Sequence, residues 1–314
     1  VLLSDSRYSV QITEECPELD VAIRDSRSSI VQLAVKTLTK AGGQRLALEA
    51  HHLTKQKYDQ LVSDLKAVTA VPTTGLVEQL RAIKDKSELQ TIKRAIGIAE
   101  RSFDVIRSQL TVDQRERQIS HNLEHPIRAF GGTRCAFDPI VGVGPRGALP
   151  HGQPSGMQVG EAPFLLIDWG AQYAGYASDL TRILVTAKIS PKLRRVYNLV
   201  LQAQLAAISK IRDGAKLANV DRAARKTIED GGFGKKFGHG LGHGFGLQIH
   251  ETPFLTPTAS GVLKSGMVIT IEPGIYLPDW GGVRIEDDVL VTKDGYKVLT
   301  SVPKELDQCV VDMR

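Results

Sequence analysis

The chain has 314 residues, of which 42% are hydrophobic and 24% charged, the balance of a globular protein rather than a disordered, collagenous or coiled-coil one. No window approaches the roughly 20 uninterrupted apolar residues that a membrane-spanning helix needs, and Cys16, Cys135 and Cys309 are too far apart for a disulfide ladder or a CxxC site, which suits a reducing, cytoplasmic compartment. The net charge of +5 comes from interspersed lysines and arginines, without the aromatic-interleaved basic stripe that would make nucleic acid a partner.

Residues 1 to 78 alternate short apolar stretches, Val1–Leu3, Val21–Ile23 and Leu46–Leu48, with a helix-like run over Leu53–Leu65. They read as a small α/β unit. Its first residues look like a strand already in progress, so part of this unit is expected to precede Val1, and no secretory n-region and h-region open the chain. The turn residues of Thr69–Gly75, with Val71-Pro72, suggest a boundary between a domain of residues 1–78 and one of residues 79–314.

Ser87 and Gln90 then give a capping-box start. The apolar residues Leu89, Ile92, Ile96, Ala99, Phe103, Ile106 and Leu110 step by helical spacing, predicting a long helix packed on a sheet. A second helical pattern covers Thr111 to Phe130, with Pro126 predicting a kink or an early end. A third starts at Ser190-Pro191 and runs to Gly214, and a fourth covers Val220–Asp230. Strand-like runs lie at Pro139–Val143, Phe164–Asp168, Ala177–Thr186, Val268–Glu272 and Val283–Val291. Helices among locally paired strands predict an α+β domain with an antiparallel sheet.

Spacing singles out four carboxylates. A hairpin centred between Tyr173 and Ala174 would set Asp168 opposite Asp179, with Cβ atoms ~5 Å apart. Like charges so placed repel unless a cation lies between them. Glu272 and Glu286 flank a second turn-rich stretch, PGIYLPDWGG, and would form a second pair on one face. The repetition suggests two related halves within residues 84–314. His239, His243 and His250 fall in or beside a stretch, residues 231–246, with eight glycines among sixteen, where backbone can approach a ligand closely. A set of Asp, Asp, His, Glu and Glu is rich in hard oxygen and favours Mn²⁺, with Co²⁺ or Zn²⁺ as alternatives. Four carboxylates balance two divalent ions, and such a pair ~3.5–4 Å apart can activate a hydroxide and polarise a carbonyl.

The ordered segments LPHG, IDWGA with SDLTR, HGLGHGFGLQIHE, IEPGIY and GGVRIEDDVLVT resemble the pita-bread metallopeptidases, and within them the Xaa-Pro peptidases, aminopeptidase P and prolidase. The resemblance covers about residues 78–300, and the unit in front is similar to the N-terminal domain of those enzymes. It implies a pita-bread (creatinase/aminopeptidase) fold and a homodimer acting on proline-containing peptides through a metal-activated hydroxide. It also implies Asp168, Asp179, His243, Glu272 and Glu286 as ligands of two divalent ions, with Asp179 and Glu286 bridging. Glu272 would move the proton from water to the leaving amine. His151 and His250 would bind the scissile carbonyl and its oxyanion. His239 would line the proline side of the pocket, and Arg284 would act as partner to a ligand or as a carboxylate anchor.

Several dipeptidases of this family carry an arginine four residues after the second of these histidines, where this chain has Phe254. That favours an aminopeptidase of longer X-Pro peptides over a dipeptidase. A methionine aminopeptidase and a non-catalytic peptide-binding protein of the same fold remain as further alternatives.

Overall fold

The computed structural model describes residues 1–65 and 68–313 and divides into two compact units, Val1–Val77 and Glu78–Arg314.

The first unit runs β1 (Leu2–Asp5), α1 (Ser9–Glu15), β2 (Val21–Arg24), α2 (Ile30–Ala41), β3 (Arg45–Glu49), α3 (Lys55–Asp64) and β4 (Thr69–Thr73). Parallel pairing of β1 with β2 and of β3 with β4 requires the helical crossovers between them. Ser29 and Gln32 cap α2 reciprocally, and Gly42 stops it at φ 70°. Leu48, Leu61 and Leu65 form a small core with Val35 and Leu38. The Val71-Pro72 segment, expected to be a turn, is strand: Pro72 lies opposite Leu48 in β4, which among the described residues has β3 as its one partner, and an edge position tolerates the missing N–H.

The second unit begins within α4 (Leu76–Ala82), followed by α5 (Lys86–Ser108), α6 (Glu116–Ala129), β5 (Arg134–Cys135), β6 (Ile140–Val143), β7 (Phe164–Trp169), β8 (Ala171–Tyr173), β9 (Tyr176–Ala177) and β10 (Leu180–Val185). Then come α7 (Pro191–Ile208), α8 (Leu217–Asp230), β11 (Gly242–Gly244), β12 (Glu251–Leu255), β13 (Val268–Ile271), β14 (Gly274–Leu277), β15 (Gly281–Arg284), β16 (Asp287–Val291) and β17 (Tyr296–Val298). Its ladders among the described residues are antiparallel. The main sheets have strand orders β10-β7-β6 and β12-β11-β13-β16-β17.

Strand β7 is buried throughout because both faces are covered. Phe164 and Leu166 pack with Val196 and Val200 of α7, whereas Leu165, Ile167 and Trp169 pack with Phe103 of α5 and Leu123 of α6. Period-2 alternation is therefore a switch between two apolar layers. Trp169 stacks on Phe103 at 4.2 Å and donates its Nε1–H to the Ala99 carbonyl at 2.9 Å, which fixes the residue beside Asp168.

Several boundaries differ from expectation. Asp85, not Ser87, caps α5: its Oδ1 accepts from the Ser87 and Glu88 amides, and Glu88 returns a bond to the Asp85 N–H. The Ser87 hydroxyl is itself spent as a donor to Asp85. Helix α6 starts at Glu116 and passes through Pro126 to Ala129, while α7 ends at Ile208, short of Gly214. The expected strand Ala177–Thr186 is split between β9 and β10, and Val283–Val291 between β15 and β16. Both breaks fall at acidic residues of the site.

Candidate metal centre

Five chain segments bring their ends together. Asp168 lies near the end of β7, Asp179 just before β10, His243 in the middle of β11, Glu272 just after β13, and Glu286 between β15 and β16. An isolated bridge, Thr181 to Glu286, joins the two main sheets at this point. The register of the first hairpin differs from expectation. Tyr173 pairs with Tyr176 across Ala174 (φ 46°) and Gly175 (φ 85°), so the turn is centred one residue later and Asp168 faces Thr181, not Asp179. A shift of two in pairing preserves parity, and Asp179 stays on the Asp168 face as a diagonal neighbour. The second hairpin keeps one register throughout, with Ile271 opposite Asp287 and Gly274 opposite Arg284. Glu272 and Glu286 fall opposite each other in the gap between those ladders.

Asp168, Asp179, His243 and Glu286 are all under 9% exposed. Ligand atoms of Asp179, His243 and Glu286 lie within 4.8 Å of one another. The His243 Nδ1–H donates to the Gly244 carbonyl at 3.0 Å, since a carbonyl can only accept. Its Nε2 lone pair is thus left facing Asp179 Oδ2 at 3.6 Å and Glu272 Oε1 at 3.4 Å. The close packing depends on glycine at 242, where an added Cβ would lie 2.1 Å from the Thr270 carbonyl oxygen.

Burial, compounded by neighbouring carboxylates, pushes Asp179 and Glu286 well above the usual carboxylate range. Burial likewise lifts Asp168, against the pull of Arg284, and raises Glu272 to about 8. Burial lowers His243 to about 4, keeping its imidazole neutral. Among the described residues, Asp168 Oδ1 is a buried oxygen with no hydrogen-bond partner. A neutral imidazole with a free nitrogen, an orphaned carboxylate oxygen and carboxylates raised by burial and by one another's charge fit a cation of high charge.

Residues that sequence reasoning passed over hold these groups in place. The Thr181 hydroxyl donates to Glu286 Oε2 at 2.6 Å and accepts from Arg284 Nε at 3.0 Å. The Thr270 hydroxyl donates to Glu272 Oε1 at 3.2 Å and accepts the His243 N–H at 3.0 Å. Asp288 Oδ2 accepts the Asp179 N–H at 3.2 Å. Arg284, 2% exposed, spends its other two nitrogens on Tyr276 OH at 3.0 Å and Asp168 Oδ2 at 2.5 Å. Tyr276 in turn donates to His239 Nε2 at 2.8 Å, and His239 Nδ1–H donates to the Gly240 carbonyl at 2.7 Å. Two threonines lay within reach of a sequence reading, because each sits two residues from a candidate carboxylate on the same strand face.

These groups open into a cavity of about 430 Å³ whose lining includes His151, Asp168, Asp179, His239, His243, His250, Glu272, Arg284 and Glu286. All of the singled-out residues therefore meet at one place. The His250 ring stands edge-on to that of His243 at 4.4 Å. Its loop is tied down by the neighbouring Glu251, whose carboxylate accepts from Arg81, Lys84 Nζ at 3.3 Å and the Gln248 N–H at 3.0 Å. Phe254, 48% exposed, lines the same cavity.

Comparison with known proteins matches residues 90–293 to the metallopeptidase family M24 and residues 1–83 to the creatinase/prolidase N-terminal domain. The uncharacterized peptidase YqhT of Bacillus subtilis (strain 168) is 34% identical over 304 residues, 97% of this chain and 86% of that protein. Among solved structures, a Xaa-Pro dipeptidase from Bacillus anthracis is similar with a TM-score of 0.92 at 39% identity, covering 97% of this chain and 85% of that one. An X-Pro aminopeptidase from Thermotoga maritima MSB8 is similar with a TM-score of 0.90 at 33% identity, covering 98% and 86%.

Proposed function

The chain belongs to metallopeptidase family M24, a pita-bread catalytic domain behind a creatinase-type N-terminal domain, and on that premise we propose that it is an Xaa-Pro aminopeptidase. It would release the N-terminal residue from peptides whose second residue is proline. Asp168, Asp179, His243, Glu272 and Glu286 would hold two divalent ions, and the predominance of carboxylate oxygen favours Mn²⁺. When bound, the ions supply Lewis-acid polarisation and a water of lowered pKa.

The chain's own residues do the rest. Asp179 and Glu286 are oriented by the Asp288 carboxylate and the Thr181 hydroxyl. Glu272 accepts the proton of the attacking water and passes it to the proline nitrogen as the C–N bond breaks. His151 and His250, on the cavity wall, hydrogen-bond the scissile carbonyl oxygen as it becomes an oxyanion. His239 has both nitrogens engaged, so it meets the pyrrolidine ring through its own ring surface. An X-Pro bond lacks an N–H, and shape complementarity of this kind is what can position it. A homodimer in the cytoplasm belongs to the same reading.

The observation that carries the preference for longer peptides is the state of Arg284. Among the described residues it is the one lysine or arginine lining the cavity, and its three nitrogens are committed to Thr181, Tyr276 and Asp168. A dipeptide's carboxylate, directly after the proline, would find there only a guanidinium already paired with the Asp168 carboxylate. The second reading, a dipeptidase, is favoured by the likeness to the Bacillus anthracis Xaa-Pro dipeptidase. Parallel assays of the Mn²⁺-loaded protein on Ala-Pro-Ala and Ala-Pro separate the two. The tripeptide should be cut much faster, and Phe254→Arg should raise dipeptide turnover relative to tripeptide. Preference of the wild-type protein for Ala-Pro would overturn the aminopeptidase reading in favour of the dipeptidase.

A further inference from the structure

The two glutamates lie where the sheet is broken. Strand β13 pairs with β16, and β14 with β15, in one continuous register, yet the ladders belong to separate sheets. Across the gap, Glu272-Pro273 faces Ile285-Glu286. Pro273 has no N–H to give, and the one backbone bond there, Ile285 N–H to Pro273 O, is long at 3.5 Å. The two glutamate amides bond outwards instead, Glu272 N–H to the Leu241 carbonyl at 2.9 Å and Glu286 N–H to the Thr181 carbonyl at 3.3 Å, so the ladder itself does little to set their separation.

A single side chain from the covering helix spans this break. Gln204 of α7 is fully buried among Val200, Leu201, Ala203 and Ala207, on a face where packing alone would select an aliphatic residue. Its Nε2 donates to the Ile271 carbonyl at 3.2 Å and to the Ile285 carbonyl at 3.1 Å. Those residues immediately precede Glu272 and Glu286. The amide orientation is unambiguous, because Oε1 accepts from Lys304 Nζ at 2.9 Å while both carbonyls can only accept. Lys304 also pairs with Asp287, the residue after Glu286. Both glutamates are therefore within one rigid peptide plane of a carbonyl held by the same nitrogen.

We propose that Gln204 is a positioning residue of the metal centre, a clasp that sets the separation of Glu272 and Glu286 across the interrupted ladder. The proposal rests on the reading of those glutamates as metal ligands. Outer partners that orient metal ligands typically contribute tenfold to hundredfold in affinity, and a clasp on two ligands at once belongs in that range.

The test is an equilibrium Mn²⁺ titration of the metal-stripped protein, followed by the signal of free Mn²⁺, for wild type, Gln204→Met, Lys304→Met and Glu286→Ala. Methionine keeps the length and removes the donors. Gln204→Met should bind Mn²⁺ about tenfold more weakly or worse, and Lys304→Met, which frees the amide to rotate, should show a smaller loss in the same direction. A merely structural glutamine would lower the melting temperature and leave the Mn²⁺ affinity of the folded protein unchanged, which would overturn the proposal. Should Gln204→Met fail to fold, Lys304→Met decides, since its side chain is 21% exposed: wild-type affinity there counts against the clasp. Wild-type Mn²⁺ binding by Glu286→Ala would instead sink the metal-ligand reading itself.

Discussion

Thr181 shows how much of the site hangs on one small hydroxyl. It sits opposite Asp168 in the β7–β10 ladder, donates to Glu286 and accepts from Arg284, and so joins the two halves of the centre. Thr181→Val keeps the shape and deletes the hydroxyl, leaving a buried carboxylate oxygen and a guanidinium N–H unpaired. We expect a loss of about 1–3 kcal/mol in chemical denaturation together with weaker Mn²⁺ binding. An unchanged midpoint would mean that this network does not bear on stability. The carboxylates and histidines were legible in the sequence because acidic residues and clustered glycines are conspicuous within otherwise apolar strands. Thr181 and Thr270 were marked only by their spacing of two from a candidate carboxylate, and Tyr276 by nothing, since such residues are ordinary in strands and their role appears only when two sheets meet.

At the scale of elements, the hairpin carrying Asp168 and Asp179 is set by a two-residue turn in which both central residues have positive φ, Ala174 at 46° and Gly175 at 85°. This is the hairpin turn whose twist matches the flanking strands, and it normally takes Asn or Gly at the position that Ala174 occupies. Ala174 gives no sequence signal for that conformation, so a reading from spacing misplaced the centre by one residue. The facing of the carboxylates survived because the resulting error of two in pairing conserves strand parity. Ala174→Gly should relieve the strained backbone and stabilise the protein by about 0.5–1 kcal/mol, visible as a raised melting temperature. A lowered one would indicate that the turn is not the one described. Long helices were legible from periodicity and caps, as Ser190 shows by accepting from the Leu193 N–H. Their ends were less so, because α7 stops at Ile208, well before the next glycine, although Ile211 beyond it is still buried in the same core.

For the molecule as a whole, the clustered carboxylates make stability depend on pH in an unusual direction. Burial raises Glu272 from 4.5 to about 8, and burial, compounded by neighbouring carboxylates, holds Asp179 and Glu286 well above the usual carboxylate range. In the metal-free protein these groups keep protons that the unfolded chain has released. Their contribution is complete below the unfolded carboxylate pKa and is lost as pH rises towards the folded values. His239 and His243, each lowered by burial from 6.5 to about 4, work in the opposite sense but only below about pH 6.5. Each retained proton corresponds to a fall of up to about 1.4 kcal/mol per pH unit. The metal-free protein should therefore melt at a lower temperature at pH 8 than at pH 6.5, and Mn²⁺ should stabilise it more at the higher pH, because binding displaces those protons. A flat or rising melting temperature across this interval would contradict the electrostatic account.

The most direct test of the central claim is to strip the protein of metal, titrate it with Mn²⁺, and measure bound metal and Ala-Pro-Ala hydrolysis on the same samples, with Asp179→Ala alongside. The account predicts two ions per chain at saturation, hydrolysis that appears as they bind, and loss of both in the variant. Mn²⁺ binding and turnover that persist in Asp179→Ala, or a fully loaded wild-type protein that leaves X-Pro bonds intact, would contradict it.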